Sequence, residues 1–151
     1  MDEYYKKWMN IALKEAKYAF KKNEIPIGSI ILYKKKILSK AHNLTQTLND
    51  CTAHAEIKAI NKASIYLNDK YLNNCIVFVT LEPCIMCFGA IVLSKIKKIV
   101  FGSKSKNGFS NFGLEKKFSI NFVSGVLEKK CTSLINLFFK NKRINNKIIN
   151  K

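Results

Sequence analysis

Two short segments dictate how this chain must bring itself together. They are Thr52-Ala53-His54-Ala55-Glu56 and Leu81-Glu82-Pro83-Cys84-Ile85-Met86-Cys87, each placed where a strand or loop gives way to a helix. A helix N-terminus presents free N–H groups and a partial positive charge, which lowers a thiol's pKa and favours the thiolate that binds zinc. Cys84 and Cys87 stand three positions apart, so they share one helix face. They can grip one ion at about 2.3 Å, with His54 supplying a third ligand at about 2.0 Å. A fold that uses this chemistry must carry the two helix starts to the same place.

Three protein ligands leave the fourth corner of a tetrahedral zinc open, the arrangement of a catalytic rather than a structural site. Glu56, two residues after the histidine, can reach a zinc-activated water without ligating the metal. Its carboxylate can take the water's proton and pass it to a ring nitrogen and then to a departing amine, which is hydrolytic deamination. The competing reading is a closed structural site built from Cys51-x-x-His54 and Cys84-x-x-Cys87. Cys51 precedes the residue expected to cap the second helix and so is expected to point away from the ligand side of His54. A structural site also gives Glu56 nothing to do.

Strands separated by helices predict an α/β protein built on a layered sheet. Trp8, Ile11, Ala12, Ala16 and Ala19 recur at helical spacing between Tyr4 and Lys22, with lysines elsewhere, so the first helix packs by its Trp8 face. Pro26 bars helix, and Ile27 to Leu32 and Ile37-Leu38 read as a hairpin turned at Lys34-Lys35-Lys36. Thr52 is placed to cap a second helix that begins at the histidine and runs to about Tyr66. Cys75 to Thr80 is a buried strand, and a third helix from Cys84 to about Ser94 is apolar all round and therefore expected inside. Lys98 to Gly102 is a strand, Ser103 to Gly113 a loop, and Phe118 to Val123 a fifth strand. Leu127 to about Arg143 closes the chain as a helix with an apolar Leu134, Leu137, Phe138 face and a basic end. At 151 residues the whole chain, 1–151, fits one domain, and no linker or repeat divides it.

With 27 Lys and Arg against 10 Asp and Glu, the net charge of +17 attracts phosphate backbones. Nearly all of these bases are Lys, Arg143 is the one Arg, and Asn and Ile are abundant too, the pattern an AT-rich genome would produce. Charge alone therefore does not choose the partner. The longest apolar run breaks at Ser94-Lys95, too short to span a bilayer, and the start Met1-Asp2-Glu3-Tyr4-Tyr5 does not read as a signal peptide. A cytoplasmic protein with reduced thiols and no membrane partner is expected, and five cysteines without a disulfide-like spacing agree with that. Cys75 and Cys131 lie in apolar patterns and are expected in the core.

The His54-Ala55-Glu56 and Pro83-Cys84-Ile85-Met86-Cys87 motifs follow the His-x-Glu and Pro-Cys-x-x-Cys signature of zinc nucleobase deaminases. With Trp8-Met9, Ile25-Pro26-Ile27-Gly28, Asn43, Val79-Thr80-Leu81-Glu82, Val100-Phe101-Gly102 and Phe138-Phe139, the chain resembles the bacterial tRNA adenosine deaminases of the cytidine deaminase superfamily over nearly its whole length. The resemblance implies a three-layer α/β/α fold with a central mixed five-stranded sheet, one zinc per subunit and a homodimer. It implies hydrolysis of the wobble adenosine of a tRNA anticodon stem-loop to inosine. It places His54, Cys84 and Cys87 on zinc, Glu56 as proton shuttle, and Asn43 on the flipped-out base beside Ile25 and Leu81. From the residues alone, Asn43 in a polar stretch reads equally as a turn residue.

Reaching an adenine in an RNA loop requires the base to leave its stack, which suits a single-stranded anticodon and a basic rim. Lys140, Lys142, Arg143, Lys147 and Lys151 supply one such rim, with Phe138 expected in the core. Three positions depart from the family pattern: Cys51 in place of Pro, Phe88 in place of a small Ala, and Ser105 in place of an acid. Phe88 is expected to alter packing beneath the site or at a subunit contact. Two other functions fit parts of the sequence: a deaminase of a free base or nucleoside of guanine or cytosine type, and a zinc-stabilised RNA-binding module without turnover, against which Glu56 argues.

Overall fold

A computed structural model describes residues 2–150. Its elements in chain order are α1 (Glu3–Lys21), β1 (Gly28–Tyr33), β2 (Lys36–His42), α2 (Ala55–Leu67), β3 (Cys75–Leu81), α3 (Ile85–Leu93), β4 (Lys98–Ser103), a 3₁₀ turn (Phe109–Phe112), α4 (Leu114–Lys117), β5 (Asn121–Val123) and α5 (Glu128–Ile149). The five strands form one mixed sheet in the order β2-β1-β3-β4-β5. β1 runs antiparallel to both β2 and β3, whereas β3, β4 and β5 are parallel and joined through helices.

The apolar runs of β1, β3 and β4 are continuous rather than alternating because helices cover both faces of the sheet. Successive side chains point to opposite faces, so each run is divided between two cores. Ile30, Leu32, Phe78 and Val100 pack with Trp8, Met9, Ala12 and Leu13 of α1 and Cys131 of α5. Ile31, Val77, Val79, Ile99 and Phe101 pack with Ala59 and Ile60 of α2 and Phe88 and Ile91 of α3. This is the expected three-layer α/β/α arrangement around a mixed five-stranded sheet. Cys75 and Cys131 are buried in it, also as expected. At Gly28 the sheet and α1 come so close that a Cβ would strike the Ala12 carbonyl, which is why the strand starts on glycine.

Several local expectations are corrected. α2 begins at Ala55 with His54 as its N-cap, and Thr52 does not cap it. The Thr52 hydroxyl and N–H both donate to Asp50 Oδ1 instead, forming a turn that competes with the cap. α3 is not interior: Cys87, Phe88 and Ile91 are buried, but Ile85 and Leu93 are 51% and 76% exposed. The stretch read as a loop carries the 3₁₀ turn, whose Phe109 is fully buried and stacked on Phe88 at 4.8 Å. Phe88 thus packs in the core against Phe109 and also borders the apolar hollow beside α3. The fifth strand is short and is preceded by α4, and α5 extends past Arg143 to Ile149. Phe138 is buried as expected, against Phe20 at 6.0 Å. Lys151 lies outside the described residues. No helix among the described residues is long and apolar enough to cross a membrane.

Candidate active site

The sheet topology gathers the site at one edge. Gly28 at the start of β1 pairs with His42 at the end of β2, and Ser29 pairs with Val79 near the end of β3. The segments leaving β2, β3 and β4 therefore emerge beside the segment entering β1, at the carboxyl end of the parallel strands where α/β proteins form their sites. Ile25, Asn43, Leu81 and both metal-ligand segments are on this edge.

His54 and Cys84 are both N-caps with extended backbone, and neither side chain caps its own helix. In an ordinary capping box the N-cap and N3 side chains satisfy the free N–H groups of the first turn. Here the N-cap Cys84 and the N3 Cys87 are turned toward His54 instead. His54 Nδ1 lies 3.7 Å from Cys84 Sγ and 3.5 Å from Cys87 Sγ. Tetrahedral angles with zinc–sulfur and zinc–nitrogen bonds of about 2.3 and 2.05 Å require a separation of about 3.6 Å. The donor set and its spacing fit zinc. His54, Cys84 and Cys87 form the one group among the described residues that could hold a metal ion, and Cys51 is exposed and outside it. That leaves three protein ligands and rules against the closed Cys3His arrangement.

The electrostatics match the donor set. Hydrogen bonding from Cys87, joined by His54, holds the Cys84 thiol down to about 4. The Cys84 thiolate and burial push the Cys87 thiol up. The hydrogen bond to Cys84 raises His54 against the opposing effect of burial. Glu56 is buried in the first turn of α2, with Oε2 3.5 Å from Cys87 Sγ, and desolvation pushes it up to about 7. A carboxyl group near neutrality can both accept and return a proton.

Asn43 is buried and is not a turn residue. Its N–H donates to the Ile27 carbonyl, and the next residue, Leu44, donates to the Ala53 carbonyl one position before His54. Ile25 and Leu81 are half-buried on the same edge. The sequence reasoning missed two further carboxylates. Glu24, fully buried, accepts from the N–H groups of Gln46 and Thr47, the Thr47 hydroxyl and Asn43 Nδ2. Glu82, 3% exposed, accepts from the N–H groups of Ser105 and Ser110. Ser105 therefore meets Glu82 through its backbone. A signal existed: of ten acids in a lysine-rich chain, these two stand within two residues of its two prolines. An acid beside a fixed turn is well placed to collect loop N–H groups.

Comparison with known proteins places this geometry in a family. The profile of the cytidine and deoxycytidylate deaminase zinc-binding region matches residues 2–103. The chain belongs to that family. Within it, the chain is 40% identical to the tRNA-specific adenosine deaminase of Bacillus subtilis (strain 168), over 99% of this chain and 96% of that one. It is 53% identical to the tRNA-specific adenosine deaminase of Aquifex aeolicus (strain VF5), over 69% of this chain and 67% of that one. A solved structure from work on A-to-I editing by tRNA:A34 deaminases superposes with a TM-score of 0.79 and 32% identity, covering 85% of this chain and 98% of that chain.

Proposed function

We propose that this chain hydrolyses adenosine to inosine at the wobble position of a tRNA anticodon. The observation that carries the reading is a three-ligand zinc group with a buried carboxyl beside it, in a chain similar end to end to tRNA-specific adenosine deaminases. Zinc held by His54, Cys84 and Cys87 supplies the acidity that makes water a nucleophile near neutral pH. Glu56 takes the proton at a carboxylate oxygen, carries it to the purine ring nitrogen and later delivers one to the departing amine. Asn43 hydrogen-bonds the extruded base, and Ile25 and Leu81 flank it.

The surroundings support RNA. A pocket of about 280 Å³ next to Ile25 is lined by Phe138, Phe139, Gln46 and Lys142, and Phe139 is 41% exposed. Lys140, Arg143 and Lys147 are exposed further along α5, where they can meet phosphates. A homodimer completes the reading. Ile85, Val92 and Leu93 of α3 with Leu114 and Phe118 border an almost wholly apolar hollow of about 340 Å³, a face suited to a second copy.

Incubation with total tRNA followed by sequencing tests the proposal, with adenosine read as guanosine at wobble positions as the expected result. Activity on an anticodon stem-loop should also fall steeply with added salt. Turnover of free guanine, cytosine or their nucleosides, with none of the stem-loop, would overturn it.

A further inference from the structure

Glu24 is a fully buried carboxylate with no salt-bridge partner among the described residues. It sits just before the entry to β1, and every donor it holds comes from the segment that follows β2. Thr47 N and Oγ1 approach Oε1 at 2.7 and 3.2 Å. Gln46 N and Asn43 Nδ2 approach Oε2 at 3.3 Å each. Backbone N–H groups can only donate, so both Glu24 oxygens must accept. The group of Asn43 that faces Oε2 is therefore its NH2, and the carboxamide is held in one of its two flips. Thr45 Oγ1 lies 3.3 Å from the same nitrogen, and its hydroxyl can accept there. The sealed, unpaired side-chain atoms of the described residues are Trp8 Nε1 and Glu115 Oε2, so Asn43 Oδ1 is not sealed within the protein.

We propose that Glu24 is a positioning residue for deamination: it fixes the flip and placement of the Asn43 carboxamide and so sets which hydrogen-bonding pattern the substrate meets. The proposal rests on the reading of Asn43 as a substrate contact. A glutamine at position 24 has one oxygen and one NH2. The 2.7 Å bond from Thr47 N is the shortest of the four and keeps the oxygen on its side, so the NH2 faces Gln46 and Asn43, whose bonds are 3.3 Å each. Asn43 relieves the donor–donor contact by flipping, which reverses what it offers the substrate.

The experiment is a double-mutant cycle on zinc-loaded protein with an anticodon stem-loop, read as kcat and KM. It is combined with the nitrogen–proton resonances of the Asn43 side chain. Glu24→Gln and Asn43→Ala should each lower kcat/KM on the order of ten- to a hundredfold. The double variant should fall no further than the worse single one, because the two act as a unit. The Asn43 amide resonances should move in Glu24→Gln. Thr47→Val, which removes a donor to the same carboxylate but leaves Asn43 held, should keep both the resonances and the activity. Glu24→Asp, which retains an acceptor pair, should recover part of the kcat lost in Glu24→Gln.

Multiplicative losses in the double variant, or Asn43 resonances that do not move, overturn the proposal. A silent Asn43→Ala overturns it while leaving the deaminase standing. Inactivity of the unmodified protein on RNA defeats the substrate reading instead, and the resonance shift then decides the positioning claim by itself. Zinc content and thermal unfolding of each variant separate misfolding from these outcomes, and equal losses in Thr47→Val and Glu24→Gln would show a merely structural carboxylate.

Discussion

Replacing Glu82 with Gln tests whether a buried carboxylate ties the β4–α4 loop to the zinc group. Its two oxygens take Ser110 N–H at 2.9 Å and Ser105 N–H at 3.1 Å, and Gly108 is pressed so close to the carboxylate that no Cβ would fit. The same loop pairs Gly108 with Cys84, and Phe109 N–H donates to the Pro83 carbonyl. Glutamine keeps one oxygen, so one backbone N–H must face an NH2 group. A charge-assisted hydrogen bond contributes about 1.5–3 kcal/mol, and leaving a buried donor unsatisfied costs about 1–3 kcal/mol. A net loss of about 3 kcal/mol follows, and for a chain of this size that lowers Tm by about 6–12 °C. Calorimetry of zinc-loaded protein measures it, and transfer of zinc to a chromogenic chelator should be faster because Cys84 loses its brace. Glu3→Gln is the control, since that residue pairs with Lys6 on the surface and should cost under about 0.5 kcal/mol. A Glu82→Gln variant as stable as the control, with unchanged zinc release, refutes the reasoning.

Three further outcomes are expected. In zinc-loaded protein at pH 7, iodoacetamide should modify exposed Cys51 and spare Cys131, whose thiol burial pushes up to about 12 and so keeps protonated. After zinc is chelated, Cys84 should become the next site, because a thiol held down to about 4 is already thiolate at that pH; mass spectrometry reads both. Gly28→Ala should destabilise the fold by at least about 1–3 kcal/mol in urea unfolding, since its Cβ meets the α1 backbone and no side chain there can yield. Leu93→Lys, on a residue 76% exposed, should leave Tm nearly unchanged but shift sedimentation toward the monomer if the α3 face pairs two copies.

The three candidate zinc ligands and Glu56 were legible because their chemistry is local. Cys84 and Cys87 are spaced to meet on the first turn of one helix, and His54 and Glu56 lie within the start of another. The layered fold was legible for a similar reason, since uninterrupted apolar strands separated by amphipathic helices have few ways to bury both faces. Thr52 misled because capping strength says nothing of the rival turn that Asp50 offers. The α3 face misled because an all-apolar helix can equally lie within one chain or at a surface between two.

By itself, the sequence determined which side chains can hold zinc and which acid stands beside them, since helix geometry converts spacing into placement. Only the tertiary structure decided what Glu24 and Glu82 do. Each collects donors from loops 19 or more positions away, and burial rather than spacing turns an ordinary surface residue into the group that holds those loops.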